Sequence, residues 1–132
     1  MNTEPWTCES TASDPSGSHA GWAPPADLLE LAAEQPELIS ELVADFRHDT
    51  AGRLQEIDSA LVRGDRARVR AEAHSIKGSA RQLGAEKLAD LCQQMELAAV
   101  QAPPAELADR VNQMAAEFDA VWHAMTGYLA GP

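Results

Sequence analysis

From Ala26 almost to the end of the chain, apolar residues recur three and four positions apart. That spacing allows helices with one buried stripe each, and no segment shows the period-two alternation of a half-buried strand. Breakers divide the pattern. Pro36 separates a short helix at about 26–34 from a long one at about 36–63, whose stripe is Ile39, Leu42, Val43, Phe46, Thr50, Leu54, Ile57 and Leu61. Gly64 ends that helix, and Asp65 is placed to cap the next, at about 65–83, with Val69, Ala73, Ile76, Ala80 and Leu83 inward. Gly84 closes it. A helix at about 85–100 then buries Leu88, Leu91, Cys92, Met95 and Ala99. Pro103 and Pro104 open the last, at about 104–129, which turns Leu107, Val111, Met114, Phe118, Val121, Met125 and Tyr128 inward. Four amphipathic helices with short connections predict an all-α fold, an antiparallel up-down four-helix bundle with an additional short N-terminal helix.

Residues 1–25 lack this period and are rich in Ser, Thr, Pro and Gly. They read as a disordered tail in which Trp6 or Trp22 could rest on the domain, leaving residues 26–132 as the domain itself. The 132 residues suffice for a core without staples. Cys8 falls in the tail and Cys92 on an apolar stripe, so a reduced, buried thiol is expected at Cys92 and no disulfide framework. No run reaches the length of a membrane span, and the N-terminus lacks a secretory pattern; a monomeric cytoplasmic protein with no membrane partner is expected.

Charge narrows the partners further. A net charge of −11 argues against nucleic acid, which requires a basic footprint. Yet seven of the ten basic residues lie between positions 63 and 87 against three acids, a local balance of +4. At the centre of that segment stands AEAHSIKGSARQLG, residues 71–84. Counting about 100° per residue from Ile76, the middle of the buried face, His74 falls about 160° away and faces solvent. Arg70, Lys77 and Arg81 line one side of it, and Ala67, Ala71 and Gly78 the other. Gly78 interrupts a helix where alanine would be worth roughly 1 kcal/mol more, which suggests a surface that something else must approach closely. A solvent-facing imidazole is a competent nucleophile near neutral pH, and flanking cations suit a phosphoryl group.

The stretch HSIKGSARQLG resembles the signature of histidine-containing phosphotransfer (HPt) domains, and the likeness extends over about residues 36–128. The resemblance implies that His74 is phosphorylated, that Lys77 sits beside the phosphoryl group and that Gly78 clears space for a receiver domain. Arg81 is expected to touch phosphate or receiver, with Arg70 as an electrostatic helper and Ser75, Gln82 and Ala71 as further contacts. The partners implied are response-regulator receiver domains and a hybrid sensor histidine kinase of bacterial-type two-component signalling. No cofactor is expected in this chain, since Mg²⁺ belongs to the receiver. Without a Gly-rich nucleotide loop the chain is expected to carry phosphoryl groups rather than act as an enzyme. Two alternatives stay open: a receiver- or kinase-binding adaptor that transfers nothing, and a phosphorylatable domain cut from a hybrid or chemotaxis-type sensor kinase.

The remaining histidines fit less well. His48 should point outward, two residues after core Phe46, and His123 is expected to pack or cap. His19 has no partner in the tail. Neither a zinc set nor a Glu-x-x-His di-iron pattern is present.

Overall fold

The computed structural model describes residues 22–130. Five helices account for nearly all of them: α1 (Ala26–Glu34), α2 (Pro36–Arg63), α3 (Arg66–Gln82), α4 (Glu86–Ala98) and α5 (Pro104–Ala130). The bounds follow local chemistry. Pro36 occupies the first turn of α2, where its missing N–H would have no partner in any case. Gly64 ends α2 in the left-handed region at φ 72°, and the Asp65 carboxylate accepts from the Arg68 backbone N–H at 3.1 Å to cap α3.

α3 packs on α2 and α4, α5 packs on α4 and α2, and α1 lies against α2. Each of α2–α5 thus packs on two of the others, and together they enclose one core. Ile39, Ile57, Val69, Ile76, Leu88, Met95, Met114 and Met125 are 0–1 % exposed at its centre. The expected stripes differ only at their margins. Leu42, Leu61, Leu91, Phe118 and Tyr128 are partly buried, because they sit at the edges of their stripes. Phe46 and Phe118 meet edge to face at 5.7 Å.

Residues 1–21 lie outside the described residues, and Trp6, Cys8 and His19 with them. Trp22 closes the end of the helical body: it is 2 % exposed, donates Nε1–H to the Leu83 carbonyl at 2.8 Å and meets Tyr128 edge to face at 5.9 Å. The turn beneath it needs Gly84. That residue has φ 77°, and a Cβ there would lie 2.8 Å from the Pro25 ring and 3.2 Å from the Ala23 carbonyl. Among the described residues no helix is long and apolar enough to cross a membrane.

Candidate functional site

The buried face of α3 is built from Val69, Ala73, Ile76 and Ala80, all 0 % exposed. Two alanines among the four let α2 and α4 close on either side, and the opposite face stays open. His74 stands on that open face with its side chain 68 % exposed, as its angular position requires.

Its partners come from α4. His74 Nδ1 lies 3.0 Å from Glu96 Oε2. Lys77 forms an ion pair with the other oxygen of the same carboxylate and donates to Gln93 Oε1 at 2.7 Å. Burial alone would push the Glu96 carboxyl up, but hydrogen bonds and charge from Lys77 and His74 hold it below the ordinary carboxylate range. An ionised carboxylate can only accept, so the hydrogen belongs on Nδ1 of His74. In the neutral ring the free lone pair is then on Nε2.

Lys77 corrects the sequence reading. It was expected on the outer basic flank with Arg70 and Arg81, yet its side chain is only 13 % exposed. At three residues beyond His74 it is turned about 60° toward α4, where Glu96 is 14 % exposed and would otherwise be a poorly solvated charge. The two arginines remain outside. Arg70 lies about one turn before His74 and Arg81 about two turns after it; both are exposed, and among the described residues neither forms an ion pair. Arg81 therefore stands apart from the His74–Lys77 cluster.

The flank toward α2 is bare. Ala71 and Gly78 are exposed, Ser75 is half-buried, and a Cβ at Gly78 would meet nothing within 4 Å. Gln82 is exposed and lines a groove with Ser79, Leu42 and Phe46, away from the His74 cluster.

Glu96 and Gln93 were missed in the sequence. A signal existed: the α3–α4 turn makes the two helices antiparallel about Ala85. His74 and Glu96 are each eleven residues from that point, Lys77 and Gln93 each eight. Glu72 was also missed. It is 7 % exposed and bridges α3 to α2, accepting from Arg53 and Arg68 at 2.8 Å each.

The other candidates contribute no further chemistry. His48 is exposed, as expected. His123 neither packs nor caps: its side chain is 69 % exposed, with Nδ1 2.8 Å from the Asp119 carbonyl on the same helix. Cys92 is fully buried, and burial together with Glu96 pushes its thiol up to about 12, so it is an inert core group. Among the described residues no group of His, Cys, Asp or Glu is arranged to hold a metal ion.

A protein-family model described as Hpt domain matches residues 41–124, which include all of α3 and α4 and most of α2 and α5. No curated protein and no solved structure matches the chain.

Proposed function

The chain belongs to the Hpt domain family, whose members take part in two-component phosphotransfer with receiver domains, and from that premise we propose that it carries a phosphoryl group on Nε2 of His74. It accepts the group from a receiver aspartyl phosphate and passes it to a second receiver, serving as a carrier without a nucleotide site of its own. The helices α2–α5 form an antiparallel up-down four-helix bundle that holds the histidine at mid-length on one open face.

The observation that carries this reading is the hydrogen bond from His74 to Glu96 on an otherwise exposed ring. In the forward step the Nε2 lone pair forms an N–P bond while the P–O bond to the aspartate breaks, and that electron pair stays with the departing carboxylate. No proton need cross. The Nδ1–H remains donated to Glu96, whose negative charge offsets the positive charge the ring acquires. Lys77 holds Glu96 in position and balances its charge in the resting state. Arg70, exposed about one turn from His74, supplies a long cationic side chain for the phosphoryl oxygens, and Arg81, two turns away, one for an acidic receiver surface. Mg²⁺ belongs to the receiver.

The test is transfer of label from a panel of phosphorylated receiver domains. Wild type should take up label from at least one of them, and His74→Gln from none. Equal labelling of the two proteins, or no labelling of wild type, removes the reading.

A further inference from the structure

Lys77 has two places for its ammonium: outward, beside a phosphoryl group on His74, or inward on Glu96, where the structure has it. A lysine ends in a compact charge on a flexible stem, so one acceptor would leave it free to pivot. Here it meets two. Its ammonium pairs with Glu96 Oε1 and donates to Oε1 of Gln93 at 2.7 Å. Gln93 lies three residues before Glu96 on the same face of α4, so the two acceptors grip the ammonium together.

Much depends on that grip. Glu96 Oε1 is buried, and among the described residues Lys77 is its only partner. If the ammonium left, a buried carboxylate oxygen would be orphaned and Glu96 would have to turn toward water. The other oxygen of Glu96 is the one 3.0 Å from Nδ1 of His74. The contacts therefore run from Gln93 through Lys77 and Glu96 to the ring, and the bond at the far end decides which ring nitrogen carries the hydrogen.

We propose that Gln93 is a positioning residue for phosphotransfer: by tethering Lys77 to α4 it holds Glu96 on Nδ1 of His74 and keeps the Nε2 lone pair free. The proposal rests on the phosphotransfer reading of His74. Among the described residues the side chain of Gln93 has one hydrogen bond, to Lys77, so it acts through that residue. Its neighbour supplies the comparison. Gln94 accepts from Arg110 at 3.1 Å, the same kind of glutamine–cation bridge, but it joins α4 to α5 on the side away from α3.

The experiment uses the full chain as wild type, Gln93→Leu, Gln94→Leu, Lys77→Met and the double variant of Gln93 and Lys77. Ring ¹⁵N shifts of His74, read above the pH at which the ring is protonated, report the tautomer. Wild type and Gln94→Leu should carry the hydrogen on Nδ1, and Gln93→Leu should gain a population with it on Nε2. Labelling by phosphoramidate supplies the rate: Nε2 forms the N–P bond while the donor's P–N bond breaks and ammonia leaves with that electron pair. Gln93→Leu should be labelled at least about threefold more slowly than wild type. Gln94→Leu should match wild type, and in the Lys77→Met background the loss of Gln93 should slow labelling no further.

A wild-type tautomer and rate in Gln93→Leu overturn the proposal and leave the phosphotransfer reading standing. So does a loss that adds in full to that of Lys77→Met, or one that Gln94→Leu shares, since helix packing alone would produce it. If wild type takes label from neither phosphoramidate nor any receiver, the reading beneath falls and the proposal with it, whatever the tautomer.

Discussion

Replacing Gly78 by alanine should make the protein more stable. Gly78 lies within α3, five residues before the C-cap Leu83, and is not among the glycines with positive φ. A methyl group there meets nothing within 4 Å, so it brings neither a clash nor a packing gain. What remains is the backbone term, the reduced freedom of the unfolded chain and better helix propensity, worth about 0.8–1 kcal/mol. For a chain of this size that corresponds to a rise in Tm of roughly 3–5 °C. Thermal and urea melts followed by far-UV circular dichroism would register it. If Gly78→Ala melts at or below wild type, the glycine has a role within the fold and its reading as a clearance for a partner is refuted. Gly78→Leu supplies the complementary result. Its helix content should equal wild type and phosphoramidate should label it normally, while transfer from a receiver falls at least about tenfold, equivalent to about 1.4 kcal/mol or more.

Other consequences are equally open to measurement. Glu96→Gln removes the charge that offsets the phosphorylated ring, so labelling should slow about tenfold with phosphoramidate and receiver alike, unlike the glycine variants. Because Glu96 titrates below the ordinary carboxylate range, its stabilising effect is present above about pH 4.3 and disappears as pH falls through its folded value; the Tm gap between wild type and Glu96→Gln should close in acid. Glu117 behaves in the opposite sense: burial raises it despite Lys87 at 3.7 Å, so its contribution is full in acid and is lost as pH rises through the raised value. Glu117→Gln should therefore melt above wild type at pH 7 and level with it near pH 4. Trp22→Ala should lower unfolding free energy by about 3–5 kcal/mol in urea melts, since it empties a site 2 % exposed and orphans the Leu83 carbonyl.

Much of the helical fold was legible before any coordinates. Three- and four-residue apolar spacing is a local property, and Pro36, Gly64, Gly84 and Pro104 punctuate it, so the helix bounds agree to within a few residues. The outward direction of His74 followed from the same geometry. What was not legible lies between helices. Glu96 and Gln93 look like ordinary polar positions on α4 until the turn at Ala85 sets the register, and Lys77 then abandons the outer face for them. Glu72 looked like one half of an i,i+4 pair with Arg68, and only the approach of α2 with Arg53 makes it a buried bridge.

The most direct test of the central claim is to locate the phosphoryl group itself. The chain would be labelled by a phosphorylated receiver, digested under alkaline conditions that preserve phosphoramidates, and the modified peptide identified by mass spectrometry, with ³¹P NMR to distinguish the ring nitrogens. Acid-labile phosphate on Nε2 of His74 is the predicted result. Phosphate on Nδ1, on His48 or His123, or in an acid-stable ester would contradict it.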